Sequence, residues 1–267
     1  MWVQGDSLGN YQFENKELPQ NTSRKPIRTI LNIVLLGWFI LSLAPKILIS
    51  RANAYYEKEE YETAIIFYNI TTWLNAKNPH VYYGRGLAYA KLDNYDLALI
   101  NFSKAIDIDP AFASAYVGRC HIYNRQNNFD SAIIDCSKAI ELGTTETTAY
   151  SNRGTAYLAK YEYDLAILDL TRAIEATPNN FLLYSFRGVA YMDTQNYELA
   201  IADFNKAIEI NQNIETTYCL LGVTYTRVNE FSKAISSLEK GIELDSKNEM
   251  EWCKIALGNA REGIPTP

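Results

Sequence analysis

Apolar and polar residues follow one another along this chain with a helical period, and the pattern itself returns every 34 residues without an insertion or deletion. With Thr147 as position 1, full units begin at Pro45, Pro79, Ala113, Thr147, Phe181 and Glu215, and a truncated seventh begins at Glu249. Position 20 is Ala in all six full units (Ala64, Ala98, Ala132, Ala166, Ala200, Ala234), and position 11 is Tyr in all six (Tyr55, Tyr89, Tyr123, Tyr157, Tyr191, Tyr225). In the full units position 17 is always aromatic, and position 4 is Tyr in five and Leu48 in the first. At 100° per residue, positions 4, 8 and 11 fall within about 60° of one another, and 17, 20, 24 and 27 within about 80°. The spacing predicts two antiparallel helices per unit. Small residues at positions 8 and 20 let the pair approach closely, the aromatics fill the space between units, and Pro110 and Pro178 stop the second helix.

This frame resembles the tetratricopeptide repeat from Pro45 to about Arg261. The resemblance implies an all-α fold: a right-handed α-solenoid of six 34-residue helix-turn-helix repeats at 45–78, 79–112, 113–146, 147–180, 181–214 and 215–248, closed by a capping helix over 249–262. A short tail occupies 263–267. The resemblance further implies a non-enzymatic scaffold that holds a partner protein or peptide in the concave groove, with regulation of an enzyme on another chain as the alternative.

Ahead of the array the pattern changes. Residues 1–29 are polar, without periodicity, and read as a flexible tail. Between Arg28 and Lys46 lie 17 uncharged residues, TILNIVLLGWFILSLAP, apolar on every side of a helix. The expectation is a transmembrane or signal-anchor helix over 30–49, overlapping the first repeat and making the protein single-pass in a membrane. A capping helix on the first repeat is one alternative. The other is a signal peptide cleaved after Ala44, leaving a periplasmic or secreted adaptor. Arg24, Lys25 and Arg28 precede the segment and the acidic run Glu57 to Glu62 follows it, so the positive-inside bias directs the array to the extracytoplasmic side.

Composition narrows the partners. A net charge of −6 and a pI near 5.1 argue against nucleic acid. Two His and four Cys show no metal-ligand spacing, and no motif of enzymatic kind is present, so neither a cofactor nor catalysis is expected. Cys120 and Cys136, at positions 8 and 24 of the third unit, read as two buried thiols, with a disulfide as the alternative; Cys219 and Cys253 look too widely spaced to bridge. Arg recurs at position 7 and Asp at position 23, and Arg gives way to Leu221 in the sixth unit, where position 23 is Ser237. Structural ion pairs are therefore expected for Arg119 with Asp135, Arg153 with Asp169 and Arg187 with Asp203.

Opposite the packing stripe of the first helix, the resemblance places the groove. Its candidate partner-binding residues are Tyr83, Leu87, Val117, His121, Arg125, Ser151, Asn152, Thr155, Ser185 and Val189, a neutral surface suited to an extended peptide or amphipathic helix. Relatives that clamp the acidic carboxy-terminal tail of a chaperone use Lys and Asn before the equivalent of Asn152 and Lys and Arg after it. Here Val117 and His121 come before, and Leu182 and Phe186 after, so no such carboxylate clamp is expected.

Overall fold

A computed structural model describes residues 44–266 except 76, 145, 146, 247 and 248. Thirteen helices lie among the described residues. Helix α1 covers 44–57 as described. It is followed by α2 (Tyr61–Leu74), α3 (Pro79–Lys91), α4 (Tyr95–Ile108), α5 (Ala113–Arg125), α6 (Phe129–Glu141), α7 (Thr147–Ala159), α8 (Tyr163–Ala176), α9 (Phe181–Asp193), α10 (Tyr197–Ile210), α11 (Glu215–Arg227), α12 (Phe231–Leu244) and α13 (Glu251–Arg261). From α3 onward each odd helix packs on the even helix after it, and each even helix from α2 packs on the next odd one. Successive odd helices from α3 to α13 also touch, whereas no even helix touches the next even helix. The odd helices therefore line the inside of the curve and the even helices its outside.

Within a unit, the two helices meet where position 8 faces position 24. A Cβ added to Gly188 would stand 2.7 Å from the Phe204 ring, which is closer than packed atoms tolerate. In the third unit the same two positions hold Cys120 and Cys136, joined as a disulfide with their Cα atoms 5.6 Å apart. Here the covalent bond replaces the fit of glycine against a large side chain, and the expectation of two buried thiols is corrected.

The turn between the two helices is the same in all six units and uses no glycine. Position 15 is left-handed at Glu59, Asp93, Asn127, Tyr161, Gln195 and Asn229, with φ between 54° and 62°. In each unit the next residue's N–H returns to the carbonyl of the position-11 tyrosine, as from Glu162 to Tyr157 at 2.9 Å and from Asn196 to Tyr191 at 2.8 Å. This closes the first helix and reverses the chain.

Two further expectations change. Cys219 and Cys253 do bridge, with Cα atoms 5.6 Å apart, tying α11 to α13. Gly241 on α12 makes the room: a Cβ there would lie 2.5 Å from the Cys219 sulfur. The predicted membrane span meets the structure only at its end. Residues 44–49 belong to α1, where Ile49 packs against the buried cluster around Ala52 and Ala64. The rest of the span, 30–43, and the polar tail 1–29 lie outside the described residues. Among the described residues no helix is long and apolar enough to cross a membrane. At the other end the tail turns back, and Thr266 donates its N–H to the Thr226 hydroxyl at 3.1 Å.

Candidate functional site

The inner surface is built from the sides of the odd helices that face away from their even partners, and its character changes along the array. In the second unit Tyr83 packs against Phe102 and Phe112, ring centroids 5.8 and 5.2 Å apart, and Leu87 joins the same apolar cluster. His80 adds its ring edge-on to Phe112 at 4.8 Å. In the third unit Val117 is buried against Ala139 and Ala149. Arg125 lies at the end of α5 and donates from Nε to the Tyr95 hydroxyl at 3.2 Å, bridging two units.

Between the third and fourth units a polar patch forms. Asn124 donates its amide to the Asn152 carbonyl at 2.7 Å, and Thr155 donates its hydroxyl to the same oxygen at 2.9 Å. Asn124 Oδ1 and Asn152 Nδ2 are buried without a hydrogen-bond partner, an arrangement that leaves their desolvation uncompensated. His121 shares a hydrogen bond with the Asn152 side chain. Surrounding protein holds the His121 imidazole below its usual value; the bond with Asn152 acts against that shift, while Arg125 and Lys91 reinforce it. Ser151 stands beside this patch, half-buried.

Further along, an apolar cavity of about 510 Å³ opens on the inner side across the fourth to sixth units. Leu158, Phe181, Leu182, Ser185, Phe186, Val189, Ile214, Glu215, Thr216, Thr217 and Leu220 line it. Ser185 and Thr217 satisfy one another, hydroxyl to hydroxyl at 3.0 Å, so Glu215 is the one charge in the lining. Of the residues expected from sequence, Ser185 and Val189 belong to this cavity; Tyr83, Leu87, Val117, His121, Asn152 and Thr155 are distributed over two other stretches of the surface. Phe186 and Leu220 were not among the candidates. Their signal was present, because position 6 is Ser50, Gly84, Gly118 and Asn152 in the first four units and turns large and apolar only in the last two.

The recurring Arg residues sit elsewhere, at the seams between units. Arg119, Arg153 and Arg187 each grip their Asp with two nitrogens: Arg119 to Asp135 at 2.6 and 2.8 Å, Arg153 to Asp169 at 2.7 and 2.9 Å, Arg187 to Asp203 at 2.7 and 2.8 Å. A third nitrogen reaches back to the preceding unit, to Ser103, Ser137 and Thr171 at 3.0, 3.0 and 2.9 Å. Arg85 does the same with neutral groups, Asn101 and Asn69. The hydrogen bonds that Arg153 donates to Asp169 raise its pKa above its already high ordinary value. Each guanidinium is thus a three-way staple, and its planar fork explains why Arg rather than Lys occupies the position. Among the described residues no cluster of three His, Cys, Asp or Glu is arranged as around a metal ion.

Models of the tetratricopeptide repeat match residues 79–112 and 182–214, and 147–180 and 215–248, which together make up half of the chain. The chain belongs to the tetratricopeptide-repeat family. No curated protein matches the sequence. Among solved structures, this tetratricopeptide-repeat chain is similar to YrrB, titled a TPR protein with an unusual peptide-binding site, at 20% identity and a TM-score of 0.62 over 73% of this chain and 97% of that one. It is also similar to MamA, at 24% identity and a TM-score of 0.56 over 61% and 95%. Likeness to pilF of Pseudomonas aeruginosa reaches a TM-score of 0.69 at 13% identity over 80% and 99%. At such identities the likeness establishes the fold alone.

Proposed function

We propose that this protein is a non-enzymatic docking scaffold, anchored in a membrane through its amino-terminal apolar segment, that holds an extended polypeptide by a bulky apolar side chain. The cavity of about 510 Å³ across the fourth to sixth units carries the reading. It is open to the inner side and nearly uncharged, as a pocket for a Leu or aromatic anchor should be. The half-buried Asn124 and Asn152 lie further along the same inner side, where an extended peptide has backbone amides and carbonyls to offer. YrrB, by its title, binds peptide at an unusual site, which agrees with this use of the fold.

The anchor rests on the 17 uncharged residues between Arg28 and Lys46. The orientation rests on the basic residues that precede them and on the cysteines, all four of which are paired in two disulfides, an arrangement that persists in oxidising compartments. The array is accordingly assigned to the extracytoplasmic side.

Selection of a random peptide library on the full chain tests the docking role. Enriched peptides are expected to share one large apolar residue and to lose binding to Leu182→Lys, a change at a side chain already 46% exposed that leaves thermal unfolding unaltered. Recovery of no peptide, or of peptides indifferent to this change, would overturn the reading.

A further inference from the structure

The outside of the array carries a feature that the groove does not use. Position 22 lies on the outward ridge of each even helix, and in the first four units it holds Ile66, Ile100, Ile134 and Leu168, exposed by 58, 62, 68 and 53%. A large apolar side chain left in water at one site is unremarkable, but four stand at the same position of successive units. The row ends where the fifth and sixth units substitute Ala202 and Ser236. No packing within the chain requires it, since successive even helices do not touch.

The charges beside this row say what covers it. From the second unit to the fourth, an acid stands one turn before the ridge residue and a cation one turn after it, whereas Ile66 is preceded by Glu62 and followed by the apolar Ile70. In the second unit the acid and the cation are Asp96 and Lys104, in the third Asp130 and Lys138, all exposed. From the second unit to the fourth the outer face is therefore striped acid, apolar, base, with a further acid (Asp107, Glu141, Glu175) three residues beyond the base. We infer that the ridge is the contact between two copies of this chain, paired with like units opposite one another. A two-fold axis along the row reverses the sense of the helices, so the acidic stripe of each copy lies over the basic stripe of its partner while the apolar rows meet. An axis along the helices would instead lay acid on acid and base on base. In the isolated chain Asp130 bonds Lys160 and Lys138 bonds Glu141, both through exposed pairs that exchange at little cost. The like-with-like arrangement also brings both amino termini to the same end, as two chains anchored in one membrane require. The contact lies opposite the groove and leaves it open.

Sedimentation velocity of the full chain in a non-ionic detergent tests the pairing. The wild type is expected to sediment as a dimer, and Ile100→Glu with Ile134→Glu as a monomer of unchanged helical content. Lys104→Glu with Lys138→Glu makes both stripes acidic, and Asp96→Lys with Asp130→Lys makes both basic. Each variant alone should associate at least about tenfold more weakly, and an equimolar mixture of the two should recover the dimer. A monomeric wild type, variants that pair like the wild type, or a mixture that stays monomeric would overturn the inference. So would a monomer whose binding to phosphatidylcholine vesicles falls on Ile100→Glu, which would assign the ridge to a bilayer.

Discussion

At the scale of single residues the repeat carries a cost at position 15. Six side chains occupy the left-handed region there, where Asn and Asp are tolerated and most other residues are strained. Gln195, at φ 62°, has no carbonyl positioned close enough to ease it as Asp93, Asn127 and Asn229 do. Gln195→Gly should stabilise the protein by about 0.5–1 kcal/mol, the relief of the Cβ less the extra freedom of glycine in the unfolded chain. Asn127→Gly should gain less, and thermal unfolding of the two variants side by side measures the difference. This turn was not legible in the sequence, because no glycine marks it. The position-8 and position-24 pair was legible, since Gly188 opposite Phe204 recurs as a small residue opposite a large one. So were the Arg–Asp partners, from the one unit that loses both. The third partner of each Arg was not: Ser103, Ser137 and Thr171 recur at position 25, but nothing along one unit says that this position faces the Arg of the next.

At the scale of helices, the disulfide between α11 and α13 shows where reasoning along one helix stops. Cys219 and Cys253 stand one full unit apart, and nothing on either helix says how near the two axes come. The distance is set by α12, where Gly241 replaces the Ala or Thr found at position 27 of the other units. The same limit applies to the groove. The outward side of an isolated odd helix includes Val117 and Ser185, yet the next unit's helix covers both, leaving them 5 and 8% exposed. Replacing both cysteines of the bridge, Cys219→Ala with Cys253→Ala, should lower stability by about 2–4 kcal/mol. Hydrogen exchange should quicken in Glu251–Arg261 while α5 to α9 keep their protection, because each unit touches only its neighbours.

At the scale of the molecule, the apolar segment and the two disulfides are the features on which the proposed membrane anchor and the proposed extracytoplasmic placement rest. Protein taken from its native source without reductant should resist alkylation at all four cysteines and gain four labels once reduced and unfolded. Labelling before reduction would place the array in a reducing compartment. Membrane fractionation should find the full chain in the pellet, resistant to a high-salt wash that strips peripheral proteins.

The seams between units are not alike. From the second unit to the fifth, each is crossed by an Arg that reaches back into the unit before it; at the seam between the fifth and sixth that position is Leu221, and the sixth unit is fastened instead to the helix beyond it by sulfur. The apolar cavity straddles this same seam. The array thus divides into a stapled body and a sutured terminal block, with the Ser185–Thr217 hydroxyl pair crossing the seam between them. A side chain seated in this cavity, as the proposed docking requires, would touch both blocks at once and add to the seam the cross-link that Leu221 cannot supply.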